Sequence, residues 1–377
     1  MTRRQDDLEG GGRPRLTLGR WFAVVTASAL ATLAMAILVV AVVGLWAFNS
    51  DGPKARQGAA TTVILRHGAS LSEIASNLED QNVVRSASVF MAAVQVTGAG
   101  RALKAGEYSV PSRASLGQVL TMIRLGKIVR HHVTIPEGTT SDQAVAILMA
   151  NPVLSGSVAA PAEGAILPET YEVERGDDRA GVMQRMIVAR DRVLAELWPS
   201  RSGNLPFKTP EEAMVLASIV EKETGKTSER PRVAAVFVNR LAQHIRLESD
   251  PTIIYGLTRG QPLGRGIRES ELKAPSPYNT YVINGLPPTP ICNPGRAAIA
   301  AVLDPAKTGD LYFVANGTGG HSFASNYEDH KRNVAHWREV EQARAGRPAT
   351  PAMSSAPASS SGPAAPSSLR GELRNGH

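Results

Sequence analysis

The sequence predicts an α+β protein carried behind one membrane-spanning helix. Three observations predict it. Residues 21 to 48 contain no charged side chain and are dominated by Ala, Val, Leu, Ile and Met, enough to cross a hydrocarbon core that needs about 20 residues of helix. Downstream, segments with helical periodicity are interspersed with short strand-like runs, the pattern of a mixed α+β fold. Past residue 246 the chain turns to Tyr, Asn, Pro and Gly outside any periodic segment, as in rigid loops that present a binding face. With 377 residues, 43% hydrophobic and 20% charged, the chain supports one large or two modest cores.

The apolar run is bounded by Trp21, Phe22, Trp46 and Phe48, residue types that anchor helix ends at membrane interfaces. A cleaved signal peptide would have an apolar region of about 7 to 15 residues, so the run reads as an uncleaved anchor over 21–48. Arg3, Arg4, Arg13, Arg15 and Arg20 precede it, whereas Asp51, Lys54 and Arg56 follow. That bias keeps a disordered tail, 1–20, in the cytoplasm and places everything from about residue 50 outside the plasma membrane. Residues 49–61, with Gly52, Pro53 and Gly58, read as a linker. The single cysteine, Cys292, has no intramolecular partner, and neither zinc-site spacing nor an H-E-x-x-H pair occurs, so no metal and no cofactor are expected. A net charge of +7 suits an anionic partner such as a wall polymer or lipid head groups, and nucleic acid is excluded for an exported domain.

Taken in order, Thr62 to Leu65 reads as a strand and Leu71 to Leu78 as a helix. Ser70 with Glu73 forms a capping box, and Leu71, Ile74, Ala75 and Leu78 give the apolar stripe. Residues 86 to 96 give a second helix through Val89, Phe90, Ala93 and Val96, and Ala105 to Pro111 a return strand. The stretch Gly68-Ala69-Ser70-Leu71-Ser72-Glu73-Ile74-Ala75-Ser76-Asn77-Leu78 resembles the helix start of LysM glycan-binding modules, which implies a LysM-like subdomain over 62–128. A helix over Ser115 to Leu125 closes it.

A larger mixed α+β domain is expected over 129–345. It opens with a strand, Val129 to Ile135, a turn at Pro136 to Ser141 and a helix, Asp142 to Met149. Residues 151 to 165, rich in Pro, Ala and Gly, read as loop, with Glu163 and Glu169 as exposed carboxylates. Arg179 to Leu197 is an amphipathic scaffold helix. Thr209 as N-cap and Pro210 at the first position start the next helix, which runs through Met214-Val215-Leu216-Ala217-Ser218-Ile219-Val220-Glu221-Lys222-Glu223-Thr224. At about 100° per residue, Leu216, Ile219 and Val220 share a face whose middle is Glu223, while Glu221 points elsewhere. A carboxyl on an apolar stripe has its pKa raised by desolvation, as a general acid near neutral pH requires. A helix ending in three solvated charged residues satisfies the same pattern, and burial statistics favour that by roughly two to one.

A helix over Arg230 to Leu241 carries Asn239 and Arg240 near its end, polar residues beside the stripe that are able to line a cleft. Arg246 to Gly256, Ser276 to Tyr281 and Gly285 to Gly295 read as loops. Ala297 to Leu303 reads as a short helix, Leu311 to Ala315 as a buried strand, Gly319 to Phe323 as a turn and 327–345 as a polar helix. His321 fits either a second catalytic or substrate-orienting group, or a histidine bonded inside that turn. The Pro, Ala and Ser rich tail, 346–377, reads as disordered.

The ordered blocks Ala217 to Thr224, Val236 to Leu241, Ser249 to Thr252 with Ile254 to Gly256, Tyr278 to Tyr281, Gly285 to Pro288, Asn293 to Gly295, Leu311 to Ala315 and Gly320 to Phe323 resemble the endolytic murein transglycosylases of the YceG-like family. The resemblance runs from about 130 to 336. It implies a membrane-anchored enzyme that cuts the β-1,4 bond between N-acetylmuramic acid and N-acetylglucosamine inside peptidoglycan strands. The product is a 1,6-anhydro end, and nascent strands near the membrane are the expected substrate, with peptidoglycan synthases as possible partners. The family's catalytic glutamate falls on Glu223, the residue that the helical wheel selects. Two departures are Glu248, where Gln is common, and Lys331, where Asn is common. Asn239, Glu248, Asp250, Tyr255, Tyr278, Asn279, Tyr281 and His321 are the candidates for holding substrate. Two other readings fit the same residues: a wall-binding membrane scaffold that cuts nothing, and a hydrolase that pairs Glu223 with Glu248 or Asp250.

Overall fold

A computed structural model describes residues 18–345. The tail expected at 346–377 and nearly all of that expected at 1–20 lie outside the described residues. The fold is mixed α+β, and its secondary structure begins with α1 (Leu18–Asn49), a helix long and apolar enough to cross a membrane. The chain divides into one compact unit up to Val129 and a second from Arg130.

In the first unit β1 (Ala60–Leu65) leads to α2 (Leu71–Asp80) and α3 (Ala87–Thr97), and β2 (Gly106–Pro111) returns antiparallel to β1 with Val63 opposite Tyr108. The capping box expected at Ser70 and Glu73 is formed, satisfying two backbone donors at the start of α2. A second one, Ser115 with Gln118, starts α4 (Leu116–Leu125). Val63, Leu65, Leu78, Phe90, Tyr108, Val119 and Ile123 close a single core. The residues after α1 are tied down rather than free: the Gly52 amide donates to the Arg113 carbonyl, the Arg113 amide donates to the Pro53 carbonyl, and Ala55 is buried.

The second unit begins with β3 (His131–Thr134), α5 (Ser141–Ala150) and β4 (Thr170–Val173), the strands pairing antiparallel with Val133 opposite Tyr171. Sequence gave no sign of β4, because four residues are too few for an alternation to declare itself. After α6 (Arg179–Leu197) comes α7 (Pro210–Glu223), capped by Thr209 with Glu212 and started by Pro210. Every residue of α7 from Ala213 to Glu221 is buried, and so is Glu223. A helix apolar on all sides belongs at the centre of a domain, and α8 (Arg230–Ala242), α9 (Asp250–Thr258) and α11 (Arg296–Leu303) pack around it, with the short α10 (Glu269–Lys273) between α9 and α11 in sequence.

Two expectations for the C-terminal half are corrected. The loop expected from Arg246 to Gly256 is helical from Asp250 onward, with Pro251 at a first-turn position that needs no amide donor. The turn expected at Gly319 to Phe323 is mostly strand: β6 (His321–Ala324) pairs with β5 (Tyr312–Ala315), Phe313 opposite Phe323. Of β5 only Val314 is fully buried, since the outer side of the hairpin is covered in part by α12 (Tyr327–Ala345).

Candidate active site

Four elements meet at the C-terminal end of α7. Glu223, 3% exposed, lines a cleft of about 30 Å³ together with Phe237, Arg240, Leu247, Glu248, Asp250, Tyr312, Phe313 and His330. The cleft in this state has room for little more than a water.

Glu223 has one hydrogen-bond partner among the described residues: the Ser249 hydroxyl donates to its Oε1 at 2.5 Å. Burial pushes its carboxyl up to about 7, the Asp250 carboxylate adds to that rise, and the Ser249 bond and Arg240 oppose it. Asp250 lines the same cleft, accepts the Tyr281 hydroxyl at 2.7 Å, and is itself raised by burial to about 6. Both carboxyls are thus raised toward neutrality by burial.

Glu221, two residues before Glu223, is buried as well and has a different chemistry. Its Oε1 accepts from Arg230 Nη2 at 2.9 Å, and its Oε2 accepts the Gly295 amide at 2.8 Å. Burial pushes this carboxyl up too, but a guanidinium and an amide bind its charged form. A Cβ at Gly295 would lie 1.9 Å from Glu137 Oε1, so a larger residue there has to push that part-exposed side chain aside. Glu221 is therefore a joint between α7, α8 and the start of α11.

The 247–252 segment presents Ser249 to Glu223. Glu248 sits at φ +53, a left-handed conformation unusual outside glycine. Its carboxylate accepts from Arg240 Nη1 at 2.9 Å. The same guanidinium donates to the carbonyls of Arg246, Leu247 and Leu311, so one buried arginine fixes the turn. The Ser249 amide donates to Thr280 Oγ1, which is 2.9 Å from Thr252 Oγ1. These bonds hold the serine in place and leave its hydroxyl for Glu223.

Of the residues singled out from the sequence, Glu223, Glu248 and Asp250 line the cleft, and Tyr281 reaches it through Asp250. The others serve elsewhere. Asn239 donates to the carbonyls of Thr308 and Asp310, and Asn279 to those of Glu271, Leu272 and Ala274. Tyr255 and Tyr278 are buried edge to face at 5.0 Å. His321 Nδ1 is 2.8 Å from Glu229 and its ring packs on Phe313; it does not line the cleft. Reading by sequence assigned no site role to Ser249, Tyr312 or His330, whereas Arg240, read as a polar residue that could line a cleft, does line it. His330 lies on a helix with no apolar stripe, and no local pattern marks it. Its ring, 4% exposed, stacks on Tyr312 at 5.0 Å, and burial together with Arg240 lowers its pKa. Among the described residues no group of three or more His, Cys, Asp or Glu is placed to hold a metal ion.

A sequence profile of the YceG-like family matches residues 63–336. Two proteins named endolytic murein transglycosylase are similar to this chain. One, from Streptococcus pneumoniae serotype 2, is 31% identical over 324 residues, covering 73% of this chain and 58% of that protein. The other, from Bacillus subtilis, is 26% identical over 297 residues, covering 70% of this chain and 81% of that protein. A solved yceG-like protein from Listeria monocytogenes is 31% identical, covering 73% of this chain and 99% of its own, with a TM-score of 0.45. The chain thus matches less than two thirds of the length of its streptococcal relative.

Proposed function

The chain belongs to the YceG-like family, and from that premise we propose that it is a membrane-anchored lytic transglycosylase of peptidoglycan strands, with Glu223 as its acid and base. The observation that carries this reading is a fully buried carboxyl held at about 7 whose one partner is a hydroxyl. A group at that value is protonated in a large fraction of molecules near neutral pH and returns to the same state after each cycle.

In this reading Glu223, protonated, donates to the glycosidic oxygen as the bond to C1 of the muramic acid residue breaks. The carboxylate so formed then takes the proton of the 6-hydroxyl, whose oxygen closes onto C1. The bond lost is C1–O4 and the bond gained is C1–O6, so a 1,6-anhydro end forms without water. Ser249 stabilises the carboxylate between the two proton transfers, a charge-assisted bond being among the stronger kinds. Asp250 keeps the Glu223 proton from leaving early, because a second negative charge in the cleft disfavours ionisation. Acid–base catalysis of this kind is worth roughly 100- to 10,000-fold.

The strand–helix–helix–strand order β1, α2, α3, β2 supports reading 62–128 as the LysM-like glycan-contacting part and 129–345 as the catalytic part. The α1 helix supports single-pass anchoring, with arginines on its N-terminal side favouring a cytoplasmic N-terminus. Glu223→Gln retains the shape and removes the proton, so it should abolish anhydro ends from purified glycan strands while leaving circular dichroism unchanged. Mass spectrometry of the products checks this, and retained activity would overturn the assignment. One observation favours a second reading. Asp250, raised to about 6 in the same cleft, is placed to serve a hydrolase, which would give reducing ends instead.

A further inference from the structure

Part of the cleft lining is aromatic, and a further aromatic ring adjoins it. Tyr312 on β5 lines the cleft and is half-buried. His330 lies flat against it, ring centroids 5.0 Å apart and planes 21° from parallel. Tyr327, one turn earlier on α12, is 5.9 Å from Tyr312 and 6.2 Å from His330, and is 42% exposed. Tyr312 and His330 line the cleft with Glu223, and Tyr327 adjoins both rings at the surface. A second observation is independent of the stacking. His330 Nδ1 is buried and has no hydrogen-bond partner. A buried ring nitrogen left unpaired is a cost that folding normally avoids. A group that enters the cleft His330 lines is able to supply that partner.

We propose that Tyr327, Tyr312 and His330 form a glycan subsite adjoining Glu223, in which the exposed tyrosine takes the apolar face of a pyranose ring and His330 Nδ1 pairs with a hydroxyl or acetamido group of the sugar nearer the cleft. The chemistry fits the surface. Aromatic rings present a broad apolar face with a polar tip and lose little conformational freedom on binding, and sugar C–H faces are the complementary shape. Lys331, whose ammonium lies 5.3 Å from the Tyr327 ring centroid, is a long flexible chain that an incoming ring displaces. The subsite rests on the glycan-cleaving reading above, and it assigns to β5 and α12 the role that the sequence suggested for Tyr255, Tyr278 and His321.

Binding and cleavage are measured separately on the full chain in detergent. Binding uses sedimentation with peptide-free glycan strands in the Glu223→Gln background, and cleavage uses release of anhydro ends. Tyr327→Ala changes an exposed residue, and His330→Phe keeps the stacked ring while removing the nitrogen. Each is expected to weaken binding about 3- to 10-fold and to raise KM by a similar factor, with kcat changed less than KM. Tyr327→Trp is expected to restore binding. If the chain cleaves strands and both variants bind like the parent, the subsite is wrong and the glycan reading stands. If the parent binds, Tyr327→Ala weakens that binding and no cleavage occurs, the subsite stands and the lytic reading falls. A parent that neither binds nor cleaves overturns both.

Discussion

Glu221 and Glu223 stand two residues apart on one buried helix, and their partners give them opposite roles. Arg230 and the Gly295 amide both donate to the Glu221 carboxylate, whereas among the described residues Glu223 receives one hydroxyl donor. The serine sets where that exchange occurs. Its bond favours the carboxylate, so Ser249→Ala should raise the Glu223 pKa and, with Glu223 as the proposed acid, move the alkaline limb of the pH–activity profile upward by about one pH unit, given what a charge-assisted bond contributes. A profile that stays put or moves down would contradict this. Stability carries the same signature. Folding raises the Glu223 carboxyl from 4.5 to about 7, so its contribution is complete below the unfolded value and is lost as pH rises through about 7. Glu223→Gln lacks that loss, and its melting temperature relative to wild type should therefore be more favourable at pH 8 than at pH 5, by up to about 3 kcal/mol in stability. Calorimetry at the two values checks the sign.

At the α7–α8 joint a buried arginine meets two carboxylates. Arg230 binds both Glu221 and Glu137, at 2.9 and 3.0 Å, and removing it strands a buried charge. Arg230→Leu should cost about 3 to 5 kcal/mol, and adding Glu221→Gln should recover part of this, since the stranded charge is gone. Chemical denaturation of the single and double variants measures both. Sequence signals served well where an element is long or capped. The helix read over Arg179 to Leu197 has those limits, and the box at Ser70 and the N-cap at Thr209 mark true helix starts. They served poorly where an element is short and held by its neighbours. The nine residues of α9 follow a proline and carry too few turns for a stripe to show, and β4 and β6 exist because β3 and β5 pair with them. The left-handed Glu248 has no sequence mark either, because Arg240 and the Thr280 carbonyl bind that turn from distant parts of the chain.

For the whole molecule the consequence of α1 is reach. Its end is followed by backbone tied to the β2–α4 turn through Gly52, Pro53 and Arg113, so the first unit has little free tether. If α1 is a single-pass anchor, the full chain should stay in the membrane pellet after alkaline carbonate extraction. Protease added to the outer face of intact spheroplasts should then remove material from about residue 50 onward. Release into the supernatant, or protection from external protease, would refute the anchoring or its orientation, respectively.

The apolar run at 21–48 and the caps and stripes of the longer helices are local properties of the chain, and periodicity and capping chemistry suffice to read them; the same periodicity ranks Glu223 above Glu221 but does not by itself outweigh a solvated helix end. The partners of Glu223 are of another kind. Ser249 and Asp250 lie 26 and 27 positions downstream of it, Tyr312 and His330 further still, and nothing local in their sequence contexts distinguishes His330 from a histidine such as His321 that packs against Glu229. Only the packing of α8, α9, the β5–β6 hairpin and α12 around the end of α7 brings them to one cleft, and only that enclosure, by excluding water, turns an ordinary glutamate into one that titrates at about 7.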